Sequence, residues 1–204
     1  MCSSKAVDPV TARREPSGQA SAANERLLDV QGLSISFRNR NGEVAITRDV
    51  SFFVRPGERV GVVGESGCGK SVTGLSILRL LPERSTRIQG RILFEGQDLV
   101  TLPARRMRQI RGRDISMIFQ EPMTALDPVF TVGEQLSEAL RTHFKMSAKE
   151  ARERGIEALA EVGIPAPARR YDEYPHHFSG GMRQRVMIAM ALICRPKLII
   201  ADEP

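Results

Sequence analysis

Residues 59–71 read RVGVVGESGCGKS, an apolar run that passes straight into a glycine-rich loop, Gly64-Glu65-Ser66-Gly67-Cys68-Gly69-Lys70-Ser71. The loop matches G-x-x-x-x-G-K-[ST], and its flanks give that pattern the context it needs. A strand precedes it, apolar on both faces, and a helical segment, SVTGLSILRLL, follows and stops at Pro82. The residue types follow from phosphate chemistry. Gly64, Gly67 and Gly69 let the backbone turn tightly and bring N–H groups close to phosphate oxygens, with Glu65, Ser66 and Cys68 completing the cradle. The helix start adds its positive end to the same anion site. Lys70 supplies a mobile point charge for the β- and γ-phosphates of a nucleotide such as ATP, and the Ser71 hydroxyl is a ligand for Mg²⁺.

Upstream of this loop, LLDVQGLSISF and VSFFV alternate as strands do, with turns at Arg40-Asn41-Gly42 and Pro56-Gly57. Residues 1–25 are rich in Ser, Ala, Pro and charge without apolar periodicity, which predicts a disordered tail. Downstream, strands are expected at 88–94 and 115–119 and helices at about 103–111 and 132–144. A further helix opens on the capping box Ser147-x-x-Glu150 and ends at Gly163 and Pro165. The last helix starts at Ser179-Gly180-Gly181, and LIIAD at 198–202 is read as a buried strand ending in charge.

Bulk properties narrow the class. No apolar run approaches the roughly 20 residues of a membrane-spanning helix. Lys5 is followed by no apolar core of a secretory signal. Cys2, Cys68 and Cys194 are too few and scattered for a disulfide framework or a zinc site, so a reduced, cytosolic protein is expected. The net charge of +6 is densest at Arg105, Arg106, Arg108, Arg111 and Arg113. That stretch lacks interleaved aromatics and reads as a solvated helix face, with no nucleic-acid partner expected.

Three further signals carry chemistry. Leu198-Ile-Ile-Ala-Asp202-Glu203 delivers two carboxylates at the end of an apolar strand. There Asp202 is expected to hold Mg²⁺ and Glu203 to orient and polarise the attacking water. Phe178-Ser179-Gly180-Gly181-Met182-Arg-Gln-Arg185 offers a hydroxyl, two open backbone amides and a helix start with no phosphate of its own. Gln120 follows the strand at 115–119 and lies between the loop and this second helix start.

Together these stretches resemble the ATP-binding-cassette (ABC) ATPases, over nearly everything from Leu27 to Pro204. Met182 departs from that family's usual SGGQ. The resemblance implies an α/β fold of the P-loop NTPase kind, an ABC nucleotide-binding domain. It would have a mixed sheet core, an antiparallel β subdomain and a helical subdomain at about 125–178. Ser179, Gly180 and Gly181 would close on the γ-phosphate of ATP held by a second cassette. Gln120 would sense Mg²⁺ and the attacking water, making it a catalytic and metal-site residue with Lys70 and Glu203. Phe37 would stack on adenine where the family usually has Tyr.

FQEPMTALDPVFTVGEQL, YPHHFSGGMRQRVMIAMAL and LIIADEP further resemble the ATPase subunits of peptide, nickel and opine importers, most of all the first cassette of glutathione importers. The implied partners are a second nucleotide-binding domain, membrane permease subunits and, indirectly, a solute-binding protein. The implied place is the cytoplasmic face of the membrane, peripherally. The family continues beyond the position of Pro204, so an incomplete domain at 26–204 is expected, C-terminally truncated and without steady ATP turnover alone. The alternatives are a soluble cassette ATPase of DNA repair or of the ribosome. Only short helices separate Gln120 from Ser179, with no heptads of a repair-type coiled coil. Cys68, beside Lys70 and a helix start, is expected to have a lowered pKa and to be alkylated ahead of Cys194.

Overall fold

A computed structural model describes residues 11–14, 26–40, 42–119 and 126–203. The chain divides into two compact units, Met1–Met107 and Arg108–Pro204. The first holds strands β1 (Thr11–Arg14), β2 (Leu28–Asn39), β3 (Gly42–Val54), β4 (Val60–Val63), β5 (Thr86–Phe94) and β6 (Gln97–Asp98), with helix α1 (Lys70–Ile77) after β4. Four of these strands form an antiparallel sheet in the order β3-β2-β5-β6.

Apolar residues set the register of that sheet. Leu28 and Val30 are buried, then Leu33 and Ile35, so the two-residue period slips by one between Val30 and Leu33. The slip is a bulge in which Gly32 adopts a left-handed φ of 57°. Gly90 on β5 passes so close that a Cβ there would lie 2.5 Å from the carbonyl oxygens of Gln31 and Gly32. A uniform alternation would instead turn Leu33 and Ile35 towards water.

β1 and β4 pair antiparallel, Thr11 opposite Val63 and Arg14 opposite Val60. Thr11–Arg14 lies within the stretch expected to be a disordered tail, and there the backbone is paired instead. A strand edge offers N–H and C=O groups to any extended segment that reaches it, so pairing needs no apolar periodicity in that segment. β4 is also less covered than its apolar sequence suggests, since exposure alternates along it and Val63 is 44% exposed. The same holds for β8 (Leu198–Ala201), where Ile199 is exposed, so neither strand is buried on both faces as expected. Complete burial requires cover on both faces.

Helix α2 (Ala104–Ile110) buries Met107 and Ile110 and leaves Arg105, Arg106 and Arg108 exposed, as a solvated face should. The second unit contains β7 (Ile115–Ile118), α3 (Val132–His143), α4 (Ala148–Glu161), α5 (Pro167–Arg170), a 3-10 turn at Pro175–His177, α6 (Gly180–Leu192) and β8. β7 and β8 run parallel. Among the described residues, no helix is long and apolar enough to cross a membrane.

Both α3 and α4 start with a reciprocal capping box. The Thr131 hydroxyl accepts from Glu134 N–H at 3.2 Å and the Glu134 carboxylate accepts from Thr131 N–H at 2.7 Å, a geometry repeated by Ser147 and Glu150. Those backbone donors hold both glutamates below the usual carboxylate range. The sequence reading picked out only the second, although Thr131-x-x-Glu134 carries the same S/T-x-x-E spacing.

Between the two helices lies the ring of Tyr171. A Cβ on Gly133 of α3 would stand 2.1 Å from the ring, and one on Gly155 of α4 would stand 2.5 Å from it. The Tyr171 hydroxyl pairs with Ser137, the Arg152 guanidinium lies 4.7 Å over the ring, and Arg152 grips Asp172 through two 2.7 Å bonds. Two free amides at the start of α3 are satisfied by the same segment, Gly133 N–H donating to the Tyr171 carbonyl and Val132 N–H to that of Glu173. Gly133→Ala or Gly155→Ala should therefore lower stability by about 1–3 kcal/mol in urea unfolding. Helix propensity alone would favour Ala by roughly 1 kcal/mol, so a gain in stability would show that the ring has room to spare.

Candidate functional site

In the first unit, β4 delivers the chain to Gly64 and the loop closes at the start of α1. Cys68 N–H donates to the Glu65 carbonyl at 3.3 Å, and Gly67 and Gly69 take φ values of 82° and 99°, a left-handed geometry that ordinary residues resist. Gly69 is the N-cap of α1, and a Cβ on it would meet Thr47 Cγ2 at 2.5 Å. Gly64 is tied to Cys68 in the same way, since a Cβ at Gly64 would lie 2.5 Å from Cys68 Sγ. The Lys70 ammonium folds back over the loop and donates to the Gly64 and Glu65 carbonyls, each at 3.0 Å. Thr73 Oγ1 donates to the Gly69 carbonyl at 2.9 Å and fixes the first turn of α1. Glu65, Ser66 and Ser71 are exposed. The loop thus brings a cation and a helix start together at one turn.

Phe37 lies half-buried on β2, opposite Val44 on β3 and Thr86 on β5. Its hairpin partner β3 also supplies Ile46 and Thr47, the residues that abut Gly69. One hairpin therefore carries both the expected stacking ring and the wall of the phosphate loop. Cys68 is only 4% exposed and its thiol packs towards Gly64, at odds with the expected accelerated alkylation. Cys194 is buried as well, and burial pushes its thiol upward.

In the second unit, Asp202 N–H donates to the Ile118 carbonyl at 3.0 Å and carries the β7–β8 ladder one residue further. Asp202 is half-buried; Glu203 is exposed, with a left-handed φ of 47° that is strained for a residue other than glycine. Gln120 lies outside the described residues.

Ser179 caps α6. Its hydroxyl accepts from Met182 N–H at 3.4 Å, and the first turn carries no acidic side chain. Ser179, Gly180 and Gly181 are exposed, and nothing stands within 4 Å of where a Cβ on either glycine would be. An open helix start with two bare amides is suited to an anion brought from outside. Two features of this region escaped the sequence reading: Arg183, which bonds back to the segment before Ser179, and the seat of Tyr171. For the latter a signal existed, because Gly133 and Gly155 each weaken a helix that has no local need of glycine.

The strain at the loop is directly testable. Gly69→Ala should weaken both folding and nucleotide binding. Thr47→Ser removes the opposing methyl while keeping the hydroxyl that accepts from Ile35 N–H at 3.1 Å. In the double variant it should restore the steric part of the loss, leaving the roughly 1–2 kcal/mol of left-handed backbone cost. Full recovery in thermal and nucleotide titrations would remove the backbone argument, and no recovery would remove the steric one.

The family model described as ABC transporter matches residues 47–204. The dipeptide transport ATP-binding protein DppD of Bacillus subtilis is 58% identical over 181 residues, covering 88% of this chain and 54% of that protein. The oligopeptide transport ATP-binding protein OppD of the same organism is 52% identical over 180 residues, covering 88% and 50%. Among solved structures, the dimeric post-hydrolysis state of the ATP-binding cassette MJ0796, bound to ADP and Pi, superposes with a TM-score of 0.74 at 26% identity. That match covers 86% of this chain and 73% of the other. The chain spans about half the length of the curated relatives it matches.

Proposed function

This chain belongs to the ABC transporter family, and from that premise we propose that it is the ATP-hydrolysing cassette of a membrane importer for peptides or a related small solute. The observation that carries the reading is the Lys70 ammonium held over the Gly64–Gly69 turn at the start of α1. Positive charge gathered at a helix start is what a triphosphate tail requires, and it supports the reading. The carboxylates at the end of β8 and the open helix start at Ser179 are, by residue type, the other two parts that this chemistry calls for. The names of the relatives support peptides as the cargo class.

In this reading the phosphate loop binds the triphosphate, Lys70 neutralising its β- and γ-oxygens, while Phe37 offers a face to the base. Ser71 and Asp202 are oxygen donors of the kind that Mg²⁺ prefers, with Gln120 a third, and that donor set fits the ion. When bound, Mg²⁺ supplies neutralising charge to the phosphates. Glu203 accepts a hydrogen bond from the attacking water and orients it. Ser179, Gly180 and Gly181 close on the γ-phosphate carried by a second cassette.

The permease is proposed to dock on the helical part, about residues 125–178. Val129 and Phe130 are exposed there, beside a groove of about 830 Å³ whose walls include Ser137, Arg141 and Arg152. Docking puts the protein peripherally at the cytoplasmic face, with the solute-binding protein reached only through the permease.

Glu203→Gln tests the assignment, because it removes the water-orienting charge and little volume. ATP turnover in the assembled importer should fall by at least about a hundredfold, within the range of a lost general base, while ATP affinity is kept and a closed dimer accumulates. Turnover at the normal rate would take Glu203 out of the chemistry. In the unmutated importer, ATP turnover that no di- or oligopeptide stimulates would remove the cargo class instead.

A further inference from the structure

We propose that Arg183 is a positioning residue for Ser179, fixing the exposed hydroxyl and the amides beside it in the orientation that a nucleotide on a second cassette meets. The proposal rests on the reading of Ser179–Gly181 as the surface that closes on that nucleotide.

Arg183 grips the backbone on both sides of Ser179. Its own N–H donates to the Ser179 carbonyl at 2.9 Å, as the first turn of any helix would provide. Its side chain adds what no helix provides: Nε donates to the Phe178 carbonyl at 3.0 Å and shares that hydrogen with the Pro175 carbonyl, also at 3.0 Å. Phe178 N–H closes the same turn onto Pro175 at 3.1 Å. The peptide groups before and after the Ser179 α-carbon are therefore both tied to one residue, holding Ser179 at φ −65° and ψ 163°. Only the side-chain torsion of Ser179 is left to vary, and its hydroxyl is already steered by Met182 N–H.

A planar guanidinium suits this task, because its donors are fixed in direction and its charge is permanent. The arrangement is also economical for an exposed loop. Gly180 and Gly181 have no side chains with which to hold themselves, and Ser179 lies in water. Without the Arg183 side chain, the segment from Pro175 to Ser179 would keep its own turn bonds, a 3.5 Å bond from Arg170 to the His177 carbonyl and the buried Phe178 ring, but no side chain would tie the peptide group that leads into Ser179.

The test uses the full chain in Arg183→Met, which removes the donors but retains helix propensity, and in Ser179→Ala, alone and combined. ATP-dependent self-association is measured alongside affinity for a fluorescent ATP analogue on the phosphate loop. Arg183→Met should weaken association about tenfold or more, the scale of a lost bond from a charged donor, with analogue affinity unchanged. Adding Ser179→Ala should then cost much less than it does in the wild-type background, because an unpositioned hydroxyl has little left to lose. Independent, additive losses would overturn the positioning role, as would normal association by Arg183→Met. If Ser179→Ala associates as the wild-type chain does, the reading of the helix start falls and the proposal with it. Should Arg183→Met fold poorly, Arg183→Lys keeps the charge but not the planar Nε geometry. A wild-type value for Arg183→Lys would equally reject the proposal, and an intermediate one would sustain it.

Discussion

The first amides of a helix have no partner within it, and most of this fold can be read as a choice about where those amides are satisfied and where they are left open. At α3 and α4 they are closed off, by capping boxes and, for α3, by the carbonyls of Tyr171 and Glu173. At α1 no side chain caps the helix, and at α6 the Ser179 hydroxyl takes up Met182 N–H while the exposed Gly180 and Gly181 face outward. The α1 start is wrapped in a glycine turn with Lys70 across it, and the α6 start carries only Ser179 and two glycines. The two ends differ in a way that matters chemically. The first carries the Lys70 ammonium across its turn; at the second the neighbouring cation, Arg183, is turned back onto the carbonyls of Pro175 and Phe178, and in the proposed reading the open amides complete a site that another chain supplies.

That asymmetry explains where structural precision is concentrated. Gly69 is hemmed in by Thr47 from the neighbouring strand, so the shape of the loop depends on the β2–β3 hairpin as well as on its own left-handed glycines. The α6 start inherits its shape from the segment Tyr171–Phe178. That segment is locked at one end by the ring of Tyr171 against Gly133 and Gly155, and at the other by Arg183. Both proposed sites are loops held by residues of neighbouring elements, as functional loops usually are.

Much of this was legible in the residues themselves. The phosphate loop could be read because its chemistry demands a fixed spacing of Gly, Lys and Ser. The helix starting at Ser147 could be read because a capping box is local. What escaped was non-local. The bulge at Gly32 depends on the close approach of Gly90 from another strand, and the Tyr171 seat depends on glycines in two different helices. β4 and β8 looked fully buried because valine and isoleucine runs carry no information about how many neighbours the strand finds. The pairing of Thr11–Arg14 with β4 was unreadable for the same reason, since an edge accepts a partner through its backbone.

The central claim is that one chain's phosphate loop and another chain's Ser179 helix start together form one nucleotide site. Mixing two damaged chains tests it most directly. One carries Lys70→Ala and keeps its α6 start; the other carries Gly180→Asp, which sets an acid against the expected phosphate, and keeps its loop. Retention of radiolabelled ATP through gel filtration is then measured for each chain and for the mixture. The account predicts that neither chain retains nucleotide in a dimer alone and that the mixture does, through its single intact composite site. A mixture no better than its parts, or a Gly180→Asp chain that dimerises with ATP unaided, would contradict it.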